Sequence, residues 1–370
     1  MREILFVAGE ASGDLHASGV AAAIRQRESE RTLTGVGGNG MAAAGVQLIE
    51  HIENLAVFGF VEVIKEIPHH WQLLQKLKAR FQSGHVGLVI LVDYAGFNLV
   101  VAKAAYEARI PVLYFVTPQV WASRAGRMKK LAKYVTKVAC ILPFEEALLR
   151  KNGIDATFVG HPLLDRADHS LTQREARERL GLAADGEILA LFPGSRRSEL
   201  THHLDDFVAT AKELQRRRPG LRVIVATAPT VTIDAARCPF QQISGASFTV
   251  LRAATAGLLK SGTATLEATV AGLPHVIAYR TGAISYQIAK RVITIPAIGM
   301  VNIIAGREVS REFVQHALVP SAMADALEPL LSVGRVERAR AVAALADVCA
   351  QLGTPGAAER VADMALGMIA

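Results

Sequence analysis

Short, nearly unbroken apolar runs recur along the chain, and each gives way to turn residues before a stretch with helical spacing. In the first half these runs are Ile4 to Ala8, Leu33 to Val36, Val86 to Val92, Val112 to Val116 and Val135 to Leu142. Runs of this length, apolar on both faces and bounded by turn residues, predict strands of a parallel sheet covered by helices on each side. The second half repeats the alternation, with strands predicted at Ile188 to Phe192, Leu221 to Thr227, Ala256 to Leu259 and His275 to Tyr279. Helices are predicted near His203 to Arg218 and at Thr263 to Ala271. Alternating βα units in two halves predict an α/β protein of two doubly wound, Rossmann-like domains facing a cleft. The polar stretch Asp168 to Gln173 sets the expected division into residues 1–168 and 169–345. The chain from Ser321 onward reads as helical and Ala-rich, with residues 346–370 expected as a helix bracing the domains.

In open sheets of this class ligands bind beyond the carboxyl ends of the strands, so the residues after each apolar run carry the candidate chemistry. Glu10 and Asp14 follow the first run; Asp14 reads as a helix cap, whereas Glu10 fits a turn or a site acid equally well. Asp93 ends the most apolar run several residues before helical spacing resumes at Leu99, which favours a general base over an N-cap. The run Leu189 to Phe192 passes through Pro193 and Gly194 into Ser195, Arg196 and Arg197, a strand running into an anion seat. Lys260-Ser261-Gly262-Thr263 takes another strand into a helix, whose free N–H groups form a second anion site. Glu267, one turn inside that helix and outside any capping box, suits ribose hydroxyls.

Other patterns narrow the reading. Gly35-Val-Gly37-Gly-Asn-Gly40 matches GxGxxG, but it follows the second strand and has no acid ~20 positions on, so a tight turn is expected rather than a dinucleotide site. Phe58 to Phe81 has helical spacing broken at Pro68, with Trp71, Leu74 and Leu77 on one face and Lys76, Lys78 and Arg80 beside them. Between Arg124 and Lys137 every charge is basic: Arg124, Arg127, Lys129, Lys130, Lys133 and Lys137. That run reads either as a solvated face or as a seat for anionic lipid or phosphate.

A net charge of +7 favours anionic partners, while 6% aromatics and no finger, RNP-like pattern or long basic arm argue against nucleic acid. No charge-free apolar run approaches the ~18 residues of a membrane span. The start enters a strand at once, without the regions of a signal peptide, which predicts the cytoplasm. Cys140, Cys238 and Cys349 form no CxxC pair, in keeping with a reducing compartment. No Asp-x-Asp is present to hold a metal on a nucleotide diphosphate, so neither metal nor cofactor is expected, and no Gly-x-Ser-x-Gly elbow supports a serine hydrolase. Two diphosphate-type seats in one half and a strand-tip acid in the other suit a transferase with a nucleotide leaving group. A non-catalytic nucleotide-sugar or lipid binder shares much of that pattern.

Ala8-Gly-Glu-Ala-Ser-Gly-Asp14, Val92-Asp-Tyr-Ala-Gly-Phe-Asn98, Pro118-Gln-Val-Trp121, Phe158-Val-Gly-His-Pro162, Pro193-Gly-Ser-Arg-Arg-Ser-Glu199, Ser261-Gly-Thr-Ala-Thr-Leu-Glu267 and Asn302-Ile-Ile-Ala-Gly306 occur in register. Together they resemble the lipid-A-disaccharide synthase family, glycosyltransferase family 19, over nearly the whole chain. The resemblance implies a GT-B fold and inverting transfer of 2,3-diacylglucosamine from UDP-2,3-diacylglucosamine to lipid X, which is 2,3-diacylglucosamine 1-phosphate; the alternative is another GT-B enzyme on a UDP-amino sugar, an epimerase or a transferase. The C-terminal domain would hold the donor and the N-terminal domain the acceptor, peripherally on the anionic cytoplasmic face of the inner membrane, with an oligomer also possible. It further implies Asp93 as general base toward the acceptor 6-hydroxyl, Arg196 at the diphosphate, and the backbone of Gly194, Ser195, Ser261, Gly262 and Thr263 at the phosphates. Glu267 would bind the ribose, Asn302 and Gln315 would line the donor side, and Glu10 and His161 would border the reaction centre. The chain departs from the family pattern at Ala95 and Val301, where proline is expected, at Ser123, where a second tryptophan is expected, and at Lys260, where a small residue is expected.

Overall fold

The computed structural model describes residues 2–55, 67–118, 121, 125–282, 286–287 and 297–369. The N-terminal part of the expected Phe58 to Phe81 helix, together with Ser123 and Arg124, lies outside the described residues. The chain forms two compact units, one of Met1–Asp165 with Leu352–Ala370 and the other of Arg166–Gln351.

The first unit holds β1 (Glu3–Ala8), β2 (Leu33–Gly37), β3 (Gln47–His51), β4 (Val86–Val92), β5 (Val112–Phe115), β6 (Lys137–Cys140) and β7 (Ala156–Phe158). They form one sheet in the order β3-β2-β1-β4-β5-β6-β7, every pair parallel. Alternate residues serve opposite faces: Leu5 and Val7 of β1 join one apolar cluster with Val89 and Leu91, whereas Ile4, Phe6 and Ala8 join another with Leu88 and Ile90. Both faces are covered at the centre of the sheet, so β4 is apolar along its whole length and β1 from Ile4 to Ala8, as a doubly wound sheet requires. The helix Ala357–Ile369 closes one face through Val361, Ala362 and Ala365.

The second unit repeats the plan with β8 (Ile188–Phe192), β9 (Arg222–Thr227), β10 (Gln241–Ser244), β11 (Ala256–Lys260), β12 (His275–Tyr279) and β13 (Glu312–Val314). Its parallel order is β10-β9-β8-β11-β12-β13. Leu189 and Leu191 face one cluster while Ile188, Ala190 and Phe192 face the other.

In each sheet the strand order reverses direction once, between β1 and β4 in the first unit and between β8 and β11 in the second. Connections leave to opposite sides at such a point, which opens a crevice at the carboxyl ends of the two strands. The residues after β1 and β4 are Glu10 and Asp93; those after β8 and β11 are the Gly194 to Arg197 and Ser261 to Thr263 loops.

Edge strands β3, β10 and β13 were absent from the sequence-based expectation because their side chains are half-exposed and mixed in polarity. Two helices begin earlier than expected: the one following β8 at Arg197 rather than His203, and the one following β4 at Ala95 rather than Leu99, so Asp93 lies two residues before its helix, whose N-cap position is Tyr94. On the helix Ile67–Gln82, Leu73, Leu77 and Phe81 make the buried face and Trp71 stands exposed at 62%. Trp71 therefore does not share the core-facing stripe with Leu77.

Candidate functional site

The first unit presents an acidic tip. Asp93 and Tyr94 both lie in the left-handed region, with φ of 49° and 47°, and Val116 at the end of β5 has φ 56°. Non-glycine residues, above all a β-branched valine, occupy this region at a cost, so the strain gathers at the carboxyl ends of β4 and β5. Buried hydrogen bonds hold it in place: the Asp93 carbonyl accepts from Asn98 Nδ2 at 2.8 Å and from the Tyr114 hydroxyl at 2.7 Å. The amide of Asn98 also reaches the carbonyls of Val7 and Val92, tying β1 to β4. Gly9 completes the junction, because a Cβ there would sit 2.2 Å from the Tyr94 ring. Asp93 and Glu10 are thereby brought together across the switch point.

The half-buried Asp93 carboxyl forms no ion pair among the described residues. Burial and then the negative charge of Glu10 push its pKa above the usual aspartate value, opposed by a hydrogen bond from the Tyr94 backbone. Glu10 itself is exposed at the N-terminus of helix Ala11–Arg27 and makes no side-chain cap. His161, after β7, is buried; its Nδ1 accepts the Leu163 N–H at 3.2 Å, so Nε2 carries the proton in the neutral ring. Burial, and secondarily the proximity of His16, hold its pKa down to about 4.

Asp14 has a task that reading it as a cap of its own helix does not capture. It lies inside the helix Ala11–Arg27 and its carboxylate accepts the N–H groups of Gly38, Gly40 and Met41, at 2.6, 2.9 and 3.1 Å. The GxGxxG turn is thus an anion-binding turn filled by the protein's own carboxylate, which accounts for the glycines without a dinucleotide. Glu145 is another internal acid absent from the sequence reading. It is buried, receives the Trp121 indole N–H at 3.0 Å and the Leu142 N–H at 3.2 Å, and burial pushes its pKa up to about 7.

The second unit presents basic loops. Arg196 is the N-cap position of the helix Arg197–Arg217, exposed and without an ion pair among the described residues. Gly194 has φ 131°, and a Cβ there would fall 2.7 Å from Glu199 Oε2. Glu199, from the helix's first turn, accepts the Ser195 N–H at 2.8 Å through Oε2 and the Lys260 ammonium at 2.7 Å through Oε1. Burial raises the Glu199 pKa, but Lys260 and the Ser195 N–H outweigh it and the net direction is down. Buried His203 links this helix to the loop after β12: Nδ1 donates to the Glu199 carbonyl at 2.7 Å and Nε2 accepts the Arg280 N–H at 2.8 Å. An accepting Nε2 requires the neutral ring, in keeping with a pKa lowered chiefly by burial.

Gly262 caps the helix Thr263–Val270, leaving the first N–H groups of that helix without intrahelical partners beside exposed Thr263. Ser261 is anchored through its hydroxyl to the Ile298 carbonyl at 2.9 Å. Half-buried Glu267 accepts the Ser247 hydroxyl at 2.8 Å through Oε2, and Oε1 has no protein donor among the described residues. Asn302 and Gln315, expected on the donor side, use their amides inside the protein. Asn302 Oδ1 accepts from Val309 and Ser310 N–H while Nδ2 donates to the Ser310 carbonyl and to Glu312. Gln315 pairs its amide with both backbone groups of Thr281, each at 3.2 Å. Both act as staples for the loops around β12 and β13. No group of three or more His, Cys, Asp or Glu among the described residues is arranged to hold a metal.

The chain matches the family described as lipid-A-disaccharide synthetase over residues 4–358. It is 37% identical to the lipid-A-disaccharide synthase of Myxococcus xanthus and 39% identical to that of Syntrophus aciditrophicus, over 99% of this chain and 97% of each relative. Among solved structures, Acinetobacter baumannii MurG superposes with a TM-score of 0.61 at 13% identity, covering 99% of this chain and 100% of its own. The UDP-GlcNAc 2-epimerase of Neisseria meningitidis, bound to UDP-GlcNAc, gives 0.63 at 12% identity with the same coverage. At such identities these likenesses speak for the fold, which is GT-B. The match over almost the whole chain and the identity to full-length relatives show that the chain belongs to the lipid-A-disaccharide synthetase family.

Proposed function

We propose that the protein transfers 2,3-diacylglucosamine from UDP-2,3-diacylglucosamine to lipid X in a single inverting displacement. Asp93 takes the proton of the acceptor 6-hydroxyl as that oxygen attacks the donor's anomeric carbon, and the bond from that carbon to the diphosphate oxygen breaks to release UDP. Arg196, with the N–H groups at the starts of helices Arg197–Arg217 and Thr263–Val270, neutralises the charge that develops on the diphosphate. Glu267 Oε1 accepts from a ribose hydroxyl, while Asn302 and Gln315 shape the donor side by stapling its loops. Glu10 raises the proton affinity of Asp93. His161 borders the acceptor as a neutral hydrogen-bonding group.

The observation that carries this reading is the Asp93 carboxyl itself. It is half-buried on a strained turn at a sheet switch point, without a cation partner among the described residues, and with its proton affinity raised by burial and by Glu10. A structural aspartate gains a cap or an ion pair; one kept unpaired with a raised pKa suits proton abstraction. The test is disaccharide 1-phosphate and UDP formation by the purified protein from the two acylated substrates, followed by mass spectrometry. Stoichiometric appearance of both products supports the reading; UDP release without disaccharide rejects it.

The same reading places the protein peripherally on the cytoplasmic face of the inner membrane. Exposed Trp71 and the cations Arg127, Lys129, Lys130 and Lys133 of the helix Ala125–Tyr134 support it, since they offer an aromatic anchor and positive charge that no carboxylate among the described residues pairs. Lys76 and Arg80 contribute less, being paired with Glu50 and Glu3. No helix among the described residues is long and apolar enough to cross a membrane. Sedimentation with anionic rather than neutral vesicles tests the attachment, and equal binding to both would remove its electrostatic part.

A further inference from the structure

The mostly buried ion pair of Lys260 and Glu199 has no evident structural need. Its side chains are 18% and 17% exposed, and it stands at the carboxyl end of β11 against the loop that follows β8. Burying a charge pair is costly, and at such a depth it adds little stability that apolar residues could not supply. Its geometry suggests another use. One Glu199 oxygen takes a backbone N–H of the Pro193 to Arg197 loop, and the other takes the Lys260 ammonium. That ammonium lies 3.6 Å from where a Cβ on Gly262 would be, at the start of the helix Thr263–Val270, and 5.9 Å over the Tyr279 ring. A single carboxylate therefore gathers a loop N–H and a cation from the two sides of the switch point, the donors that a diphosphate needs there.

We infer that Lys260 is a phosphate-binding residue of the donor seat and that Glu199 is an internal anion holding it, together with the Ser195 N–H, until the diphosphate arrives. This rests on the reading of the second unit as a UDP-sugar site. A bound diphosphate offers more oxygens and more negative charge than one carboxylate, so the Lys260 ammonium turns from Glu199 toward a phosphate oxygen across the start of the Gly262 loop. Glu199 then acts as a counterweight: it keeps the cation ordered in the empty seat and competes weakly with the ligand. No covalent step is involved, and Lys260 contributes to binding the donor and to stabilising departing UDP.

Lys260→Met, Lys260→Arg and Glu199→Gln in the full-length protein separate this from a merely structural brace. Affinities for UDP and UMP are measured by calorimetry at low and moderate salt, with thermal melting as the check on folding. Lys260→Met is expected to weaken UDP about tenfold, the loss of one charge-assisted hydrogen bond, with a flatter salt dependence and a smaller effect on UMP. Lys260→Arg should retain most of the affinity, and Glu199→Gln, which removes the negative charge holding Lys260 and keeps an acceptor oxygen for only one of the two donors, should tighten UDP binding several-fold. If Lys260 only braces the loop, Lys260→Met and Glu199→Gln weaken UDP and UMP alike, and that result overturns the inference. Unchanged UDP affinity in Lys260→Met overturns it too, while UDP binding and disaccharide formation by the wild type leave the broader function standing. Absence of UDP binding in the wild type removes both.

Discussion

The tips of the two sheets are built on one plan and carry opposite chemistry. In the first unit the switch point between β1 and β4 sets a carboxyl beside a carboxylate, on a backbone strained at Asp93, Tyr94 and Val116. In the second, the switch point between β8 and β11 sets two helix starts beside Arg196 and Lys260, with left-handed φ at a glycine, Gly194, where it costs little. The contrast separates the labour of a group transfer. In the proposed function, one crevice raises proton affinity by half-burying Asp93 beside the charge of exposed Glu10, and the other gathers positive potential to receive a leaving group.

Removing the cation should show the largest asymmetry. Arg196→Ala is expected to lower kcat by about 10²–10³-fold, the usual range for losing one donor to a developing oxyanion, and to weaken UDP in a titration. Stability should respond elsewhere. Asp14→Ala leaves the N–H groups of Gly38, Gly40 and Met41 without their acceptor, and a loss of about 2–4 kcal/mol is expected in urea unfolding. A buried histidine in each unit, His161 in the first and His275 in the second, is held neutral with a pKa near 4. Because the folded values are depressed, their stabilising effect is complete above the ordinary histidine pKa of about 6.5 and is lost as pH falls toward 4. Melting temperature should decline over that window, and less steeply in His161→Asn. The smallest effect should come from Glu10→Gln. It removes a negative charge from beside Asp93, so the acid limb of the kcat/KM profile moves to lower pH while its plateau changes little.

Much of this architecture is legible in the chain because the central strands are buried on both faces. β4, β8 and β12 have the bounds that their apolar runs predict, and Asp93, Arg196 and Gly262 fall at strand tips for the same reason. Edge strands such as Glu312–Val314 escape because one side meets solvent and leaves no continuous run. The internal acids escape for a different reason. Asp14 and Glu199 bind N–H groups of neighbouring loops, contacts set by tertiary packing rather than by spacing. Starting the helix at Arg197 would have placed Glu199 in its first turn and hinted at its role. Nothing in the local sequence marks Glu145 as the partner of Trp121. Asn302 and Gln315, which the resemblance implies on the donor side, spend their amides on neighbouring loops, contacts that the local sequence does not mark.

The most direct measurement is made on Asp93→Asn, with UDP affinity, turnover and melting temperature taken from the same preparation. The account predicts UDP affinity within about twofold of the wild type and turnover lower by about 10²–10⁴-fold, the range for a general base. It also predicts a melting temperature at pH 7 no lower than the wild type's, because a carboxyl whose pKa is raised by burial and by Glu10 costs stability once ionised. Turnover close to the wild type's in that variant would contradict it.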